Sequence, residues 1–208
     1  MALEDFALFR AIPHSLVFYP SDAVAVEHAM VLAANYNGIV YIRANRPDTP
    51  IIYENTEKFE IGDNKVVRQS ENDKVTIVTA GVTLFEAFQA ADALASEGIN
   101  VRIVDLFSLK PINPKNLIES GLKTNGLILT VEDHYAEGGL GEAVRSAVST
   151  QGFKIHQLAV FDVQRREQQE ELYDLLKFEK KVIIAKVKGM LAFLRFWGFG
   201  VFGFLGFW

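Results

Sequence analysis

The 208-residue sequence contains no cysteine, which excludes disulfides and thiolate metal sites. It also lacks an excess of basic charge: 21 lysines and arginines stand against 26 aspartates and glutamates, a net charge of −5. A phosphate-backbone binder needs a basic face, so this balance argues against nucleic acid as a partner. The first residues, Met1-Ala2-Leu3-Glu4-Asp5-Phe6, carry acid where a secretory leader needs base followed by an apolar run. A cytoplasmic protein is the expectation. Several catalytic signatures are missing as well. There is no G-x-S-x-G to anchor nucleophilic hydrolysis, and the glycine run at 138–141 neither completes a G-x-G-x-x-G nor is followed by the Lys-Ser or Lys-Thr of a P-loop.

What is present is apolar in bulk, with 50% hydrophobic residues, enough for one large domain or two small ones with real cores. Leu3, Phe6, Ala7 and Phe9 have the spacing of a helix end. Residues 15–19 predict a buried strand stopped by Pro20, and Ser21 and Asp22 can cap a helix running to about Tyr36. Residues 38–43 form a strand apolar on both faces, as in parallel sheets. This is a βαβ unit. Residues 44–64 are rich in turn formers without a sustained period and predict a linker between two domains.

A second alternation follows. Strands are expected at 66–67, 75–79, 101–104, 126–131 and 155–160, with helices at 83–97, 114–122 and from Ala143 onward. Thr83 and Glu86 have capping-box spacing. The predicted fold class is therefore α/β: a partial βαβ unit, then a mainly parallel α/β domain with one antiparallel edge from residues 65–69. Residues 164–188 predict a helix with an apolar stripe through Leu172, Leu175, Leu176, Val182, Ile183 and Val187.

Candidate sites compete with plainer roles. Arg43 and Arg46 end an apolar strand, where open α/β sheets place ligands, and either could fork a phosphate or carboxylate; the plainer role is pairing with Glu54 or Asp48. Glu132-Asp133-His134 with Glu137 has the residue types of an acid–base or metal cluster, but its spacing favours a polar loop that caps the next helix. Gly138-Gly139-Leu140-Gly141 opens a helix and could expose N–H groups to an anion, yet Glu142 would repel phosphate and tight strand–helix packing explains the glycines better. A cap explains Asp22, and a half-exposed side chain explains His28.

Several stretches together resemble transketolase of the animal type. Phe18-Tyr19-Pro20-Ser21-Asp22 and Ile42-Arg43-Ala44-Asn45-Arg46-Pro47 resemble the late part of that family's pyrimidine-binding domain. Ala80-Gly81-Val82-Thr83-Leu84, residues 105–111, Val131-Glu132-Asp133-His134-Tyr135 and residues 137–144 resemble its C-terminal domain, in the family's order. The general pattern is shared by pyruvate dehydrogenase β-subunits, but E-D-H-Y followed by G-G-x-G-E-A-V favours transketolase. The resemblance divides the chain into the end of a pyrimidine-binding domain at 1–55, a C-terminal domain at 60–165, and a divergent tail at 166–208.

The resemblance implies transfer of a two-carbon ketol unit between sugar phosphates in the pentose phosphate pathway. It implies thiamine diphosphate and a divalent cation, Mg or Ca, as cofactors of the full-length enzyme, and a homodimer. Arg46 matches the arginine that holds the sugar phosphate. The family's pyrophosphate domain, its metal motif and its cofactor-activating glutamate are not in this sequence, so no catalytic, cofactor or metal residue is assigned. The chain alone is expected to bind no cofactor and to be inactive. The alternative is a non-catalytic interaction module pairing with full-length transketolase. Residues 189–208 carry Arg195 as their one charge and five glycines. An altered reading frame, a tail anchor and a packed helix are the three interpretations of this end; membrane association is expected only if 189–208 is a real anchor.

Overall fold

A computed structural model describes residues 3–44, 48–160 and 179–200. The expected βαβ unit is present. Helix α1 (Asp5–Ala11) precedes β1 (Leu16–Phe18), α2 (Ala23–Ala34) and β2 (Val40–Ile42), and β1 pairs with β2 in parallel, Val17 opposite Tyr41.

The second unit comprises β3 (Lys65–Arg68), β4 (Val75–Thr79), α3 (Val82–Ser96), β5 (Val101–Asp105), β6 (Ser108–Lys110), α4 (Lys115–Lys123), β7 (Leu127–Tyr135), α5 (Leu140–Ala147), β8 (Lys154–Val160) and α6 (Lys180–Gly200). Five strands make one sheet in the order β3-β5-β4-β7-β8. Only β3 runs antiparallel, on β5, so the expected edge is where residues 65–69 placed it. Strands β4 and β5 are buried along their whole length, which is why Val75-Thr76-Ile77-Val78-Thr79 shows no polar alternation.

Three features depart from expectation. Strand β6 leaves the large sheet and pairs antiparallel with β1, Phe18 opposite Ser108, so the small sheet reads β2-β1-β6. Three residues are too few to carry a period. The capping box at Thr83 does not form: Gly81 is the N-cap of α3 and makes no side-chain bond. Thr83 Oγ1 instead donates to the Ala80 carbonyl, and Glu86 accepts from the Lys180 backbone N–H at 2.9 Å. Strand β7 runs on through Glu132, Asp133 and His134, which sequence placed at its end.

Segment 44–64 has no helix or strand among its described residues, but it is packed rather than free. Tyr53 and Phe59 are buried with Leu16, Phe18, Val24 and Phe107. The two units share a further core in which Phe6, Val17 and Tyr19 meet Val78, Val104, Leu106 and Val144. On the other face of the large sheet, α3 offers Leu84, Ala87, Ala91 and Leu94, and α6 covers them with Ile183, Val187 and Met190. The near end of the tail is thus a packed helix. The helix expected at 164–188 lies outside the described residues up to 178. No helix among the described residues is long and apolar enough to cross a membrane.

Candidate functional site

The carboxyl ends of β1 and β2 open into a cleft of about 510 Å³ lined by Pro20, Ser21, Asp22, Ala44, Asp48 and Thr49, among others. Asp22 organises it. Its backbone is extended at the N-cap of α2, and one carboxylate oxygen accepts from the Ala25 N–H at 2.8 Å. The other accepts from the N–H groups of Ile52 and Tyr53 at 2.8 and 3.0 Å. The cap expected at Ser21-Asp22 is therefore made by Asp22, which also straps the segment after the cleft onto α2. Ser21 does something else: its hydroxyl donates to Asp105 Oδ1 at 2.9 Å and accepts from the Gly81 N–H at 2.9 Å.

Asp105 is fully buried at the end of β5 and also accepts from the Tyr53 hydroxyl at 2.7 Å. Burial pushes its carboxyl up to about 7, against the two hydroxyl donors that favour the ionised form. Tyr53 is pushed up as well, by burial first and then by Asp105.

Arg43 is not a ligand grip. Its guanidinium is buried, with Nη1 2.9 Å from Asp133 Oδ1 and Nε 3.2 Å from Asp5 Oδ2. It lies over the rings of Phe6 and Tyr19 at 4.6 and 5.0 Å. The expected surface pairing with Glu54 or Asp48 is replaced by this buried one. Arg46 lies outside the described residues; Ala44 and Asp48, on either side of residues 45–47, both line the cleft.

Glu132, Asp133 and His134 do not converge on one site. Glu132 accepts from the N–H groups of Leu140 and Gly141, capping α5 as the plainer interpretation held, although from within a strand. Burial pushes its carboxyl up to about 7, against these donors and the Gln157 amide. Asp133 joins Arg43 and accepts from the Tyr19 hydroxyl at 2.9 Å. His134 stacks on Phe6 at 5.0 Å, and burial lowers its pKa. Among the described residues no group of three or more His, Asp or Glu is placed to hold a metal.

The Gly138–Gly141 turn is no anion cradle either, because its N–H groups already face carboxylates: Gly138 donates to Glu142, and Leu140 and Gly141 to Glu132. A Cβ at Gly139 would stand 2.0 Å from Glu132 Oε2, so close packing explains the glycine. His28 is half-buried against Phe59, as expected. Sequence reasoning missed Asp105, Tyr53 and Asp5. The one available signal was a carboxylate, Asp105, directly after the expected strand 101–104.

The family model for the transketolase pyrimidine-binding domain matches residues 1–51, and that for the transketolase C-terminal domain matches 64–183. The chain belongs to the transketolase family. It is 52% identical over 192 residues to bovine transketolase-like protein 1, covering 92% of this chain and 32% of that protein. Human transketolase is 50% identical over 192 residues, covering 92% of this chain and 31% of that enzyme. The chain thus spans about a third of the curated relatives it matches. A solved split-gene transketolase, described as an inactive beta4 tetramer, superposes with TM-score 0.85 at 35% identity, over 92% of this chain and 63% of that one. The family implies thiamine diphosphate and a divalent cation in the full enzyme; of the carboxylates at the candidate sites, Asp22, Asp105, Glu132 and Asp133 are each already engaged by N–H, hydroxyl or guanidinium donors.

Proposed function

We propose that this chain supplies the sugar-phosphate-binding end of the pyrimidine domain and the C-terminal domain of a thiamine-diphosphate-dependent ketol transferase, and that it is inactive alone. The observation that carries this is the cleft at the carboxyl ends of β1 and β2, which the residues flanking the Arg46 segment line from both sides. In this proposal Arg46 holds the phosphate of a ketose or aldose phosphate through a bidentate fork. Thiamine diphosphate and its Mg or Ca ion act in the rest of the enzyme, in the pentose phosphate pathway of the cytoplasm. Two facts support inactivity of the chain alone: its share of the curated relatives' length, and the inactive assembly of the split-gene relative.

The test is an assay of the purified chain with thiamine diphosphate, Mg, a ketose phosphate and an aldose phosphate. No glyceraldehyde 3-phosphate is expected. Activity is expected once polypeptide supplying the rest of the enzyme is added, and Arg46→Ala should then raise KM for phosphorylated substrate about tenfold or more, the worth of one charge-assisted contact. Turnover by the chain alone overturns the proposal.

A second proposal, an interaction module, is supported by the small sheet. Strand β2 stands at its edge, Ile39 just before it is exposed, and Met30 and Val31 on α2 are exposed as well. Co-purification with an active transketolase subunit is the result this alternative requires; recovery of the chain free of that subunit rules it out.

A further inference from the structure

The carboxyl edge of a parallel sheet is where α/β proteins ordinarily bind ligands. In the large sheet that edge is occupied by the other unit of the same chain. Its three central strands run side by side as β5-β4-β7, and each ends on a contact across the boundary. Asp105 at the end of β5 accepts from Ser21 and Tyr53. Gly81, just after β4, donates to Ser21, and its φ of 58° lets the chain pass flat beneath the Tyr19 ring. Asp133, late in β7, accepts from Arg43 and Tyr19.

Two of these contacts fall on the stems of one segment. Arg43 precedes and Tyr53 follows the stretch whose flanks line the cleft. The first stem is held by Asp133 and the second by Asp105, with β4 between the two anchoring strands. We infer that Asp105 and Asp133 are positioning residues, through which the C-terminal unit sets the geometry of the sugar-phosphate cleft without contacting its ligand. The inference rests on the proposed function for what the cleft binds, but not for how its stems are held.

Amide hydrogen exchange and inorganic phosphate titration of the full chain test it together. The variants are Tyr53→Phe and Asp105→Asn, with Met190→Ala as a control that loosens the core on which Ile52 partly packs while leaving the Asp105 contacts intact. Expected in both variants is exchange about tenfold faster at Ile52 and Tyr53, with phosphate affinity about tenfold weaker, the consequence of losing roughly one buried hydrogen bond. Met190→Ala should lower the thermal midpoint and leave both readouts as in the parent chain. Exchange at 52–53 unchanged in both variants, or accelerated equally by Met190→Ala, overturns the inference. If exchange responds but the parent chain takes up no phosphate, the positioning role stands and the assignment of the cleft to sugar phosphate falls. Phosphate bound by the variants as tightly as by the parent chain overturns the positioning role.

Discussion

Arg43 and Asp133 meet at 2.9 Å with both side chains almost wholly shielded from solvent, 90 positions apart in sequence and on different units of the fold. A buried pair of this kind does little for net stability when compared with an apolar pair of the same shape, but removing one member leaves the other charged and stranded.

Asp133→Ala is therefore expected to destabilise the chain by about 3 kcal/mol, since it removes the 2.9 Å partner of a buried guanidinium and the Tyr19 hydroxyl's acceptor together. Urea unfolding followed by circular dichroism measures it. A loss under about 1 kcal/mol would mean that the pair contributes no more than an exposed one.

Asp105 and Glu132 both carry carboxyls raised to about 7 by burial, so the folded state holds their protons more tightly than the unfolded chain does. The stability this provides is complete below about pH 4 and is lost as pH rises to about 7. Asp105→Asn removes one such group. The stability difference between variant and parent should shift in the variant's favour from pH 4 to pH 7, in denaturation series at fixed ionic strength. A difference independent of pH contradicts the raised carboxyl. Buried His134 works in the opposite direction, costing stability as pH falls below about 6.5.

Gly81→Ala places a Cβ 2.0 Å from the Tyr19 ring and forces an alanine to φ 58°. Strain and overpacking together should cost about 2–4 kcal/mol. Because Tyr19 is held by Asp133, the ring has little room to yield. A drop in thermal midpoint no larger than that of a surface substitution would refute this.

Two residues on α6 should behave oppositely. Met190 is buried against α3, and Met190→Ala is expected to cost about 2–3 kcal/mol. Phe193 is 61% exposed, and Phe193→Ala should change stability by less than about 0.5 kcal/mol. Equal effects at both positions would mean that α6 does not pack on α3 as described.

Local signals carried much of this protein. The βαβ unit, the antiparallel edge at 65–68 and the buried strands β4 and β5 follow from alternation, run length and turn residues within short windows, and the family motifs lie in order along the chain. Asp22 as a cap is equally local, because the carboxylate and the N–H it accepts from are three residues apart. Glu132 as a cap was legible as a role, though β7 extends past it because pairing with β8 reaches Tyr135.

Tertiary structure alone decided the rest. Nothing within a window around Arg43 distinguishes an arginine that grips a ligand from one buried on Asp133, because the deciding partner arrives from β7. The same holds for Asp105, whose two donors come from residues 21 and 53. Strand β6 joins the small sheet through long-range pairings, Val17 with Lys110 and Phe18 with Ser108, and three residues hold no period to announce it. Sequence determines which segments are helical or extended because those preferences act over a few neighbouring bonds. Which buried charges meet depends on where long-range packing sets the strand ends, and no short window of the chain contains that information.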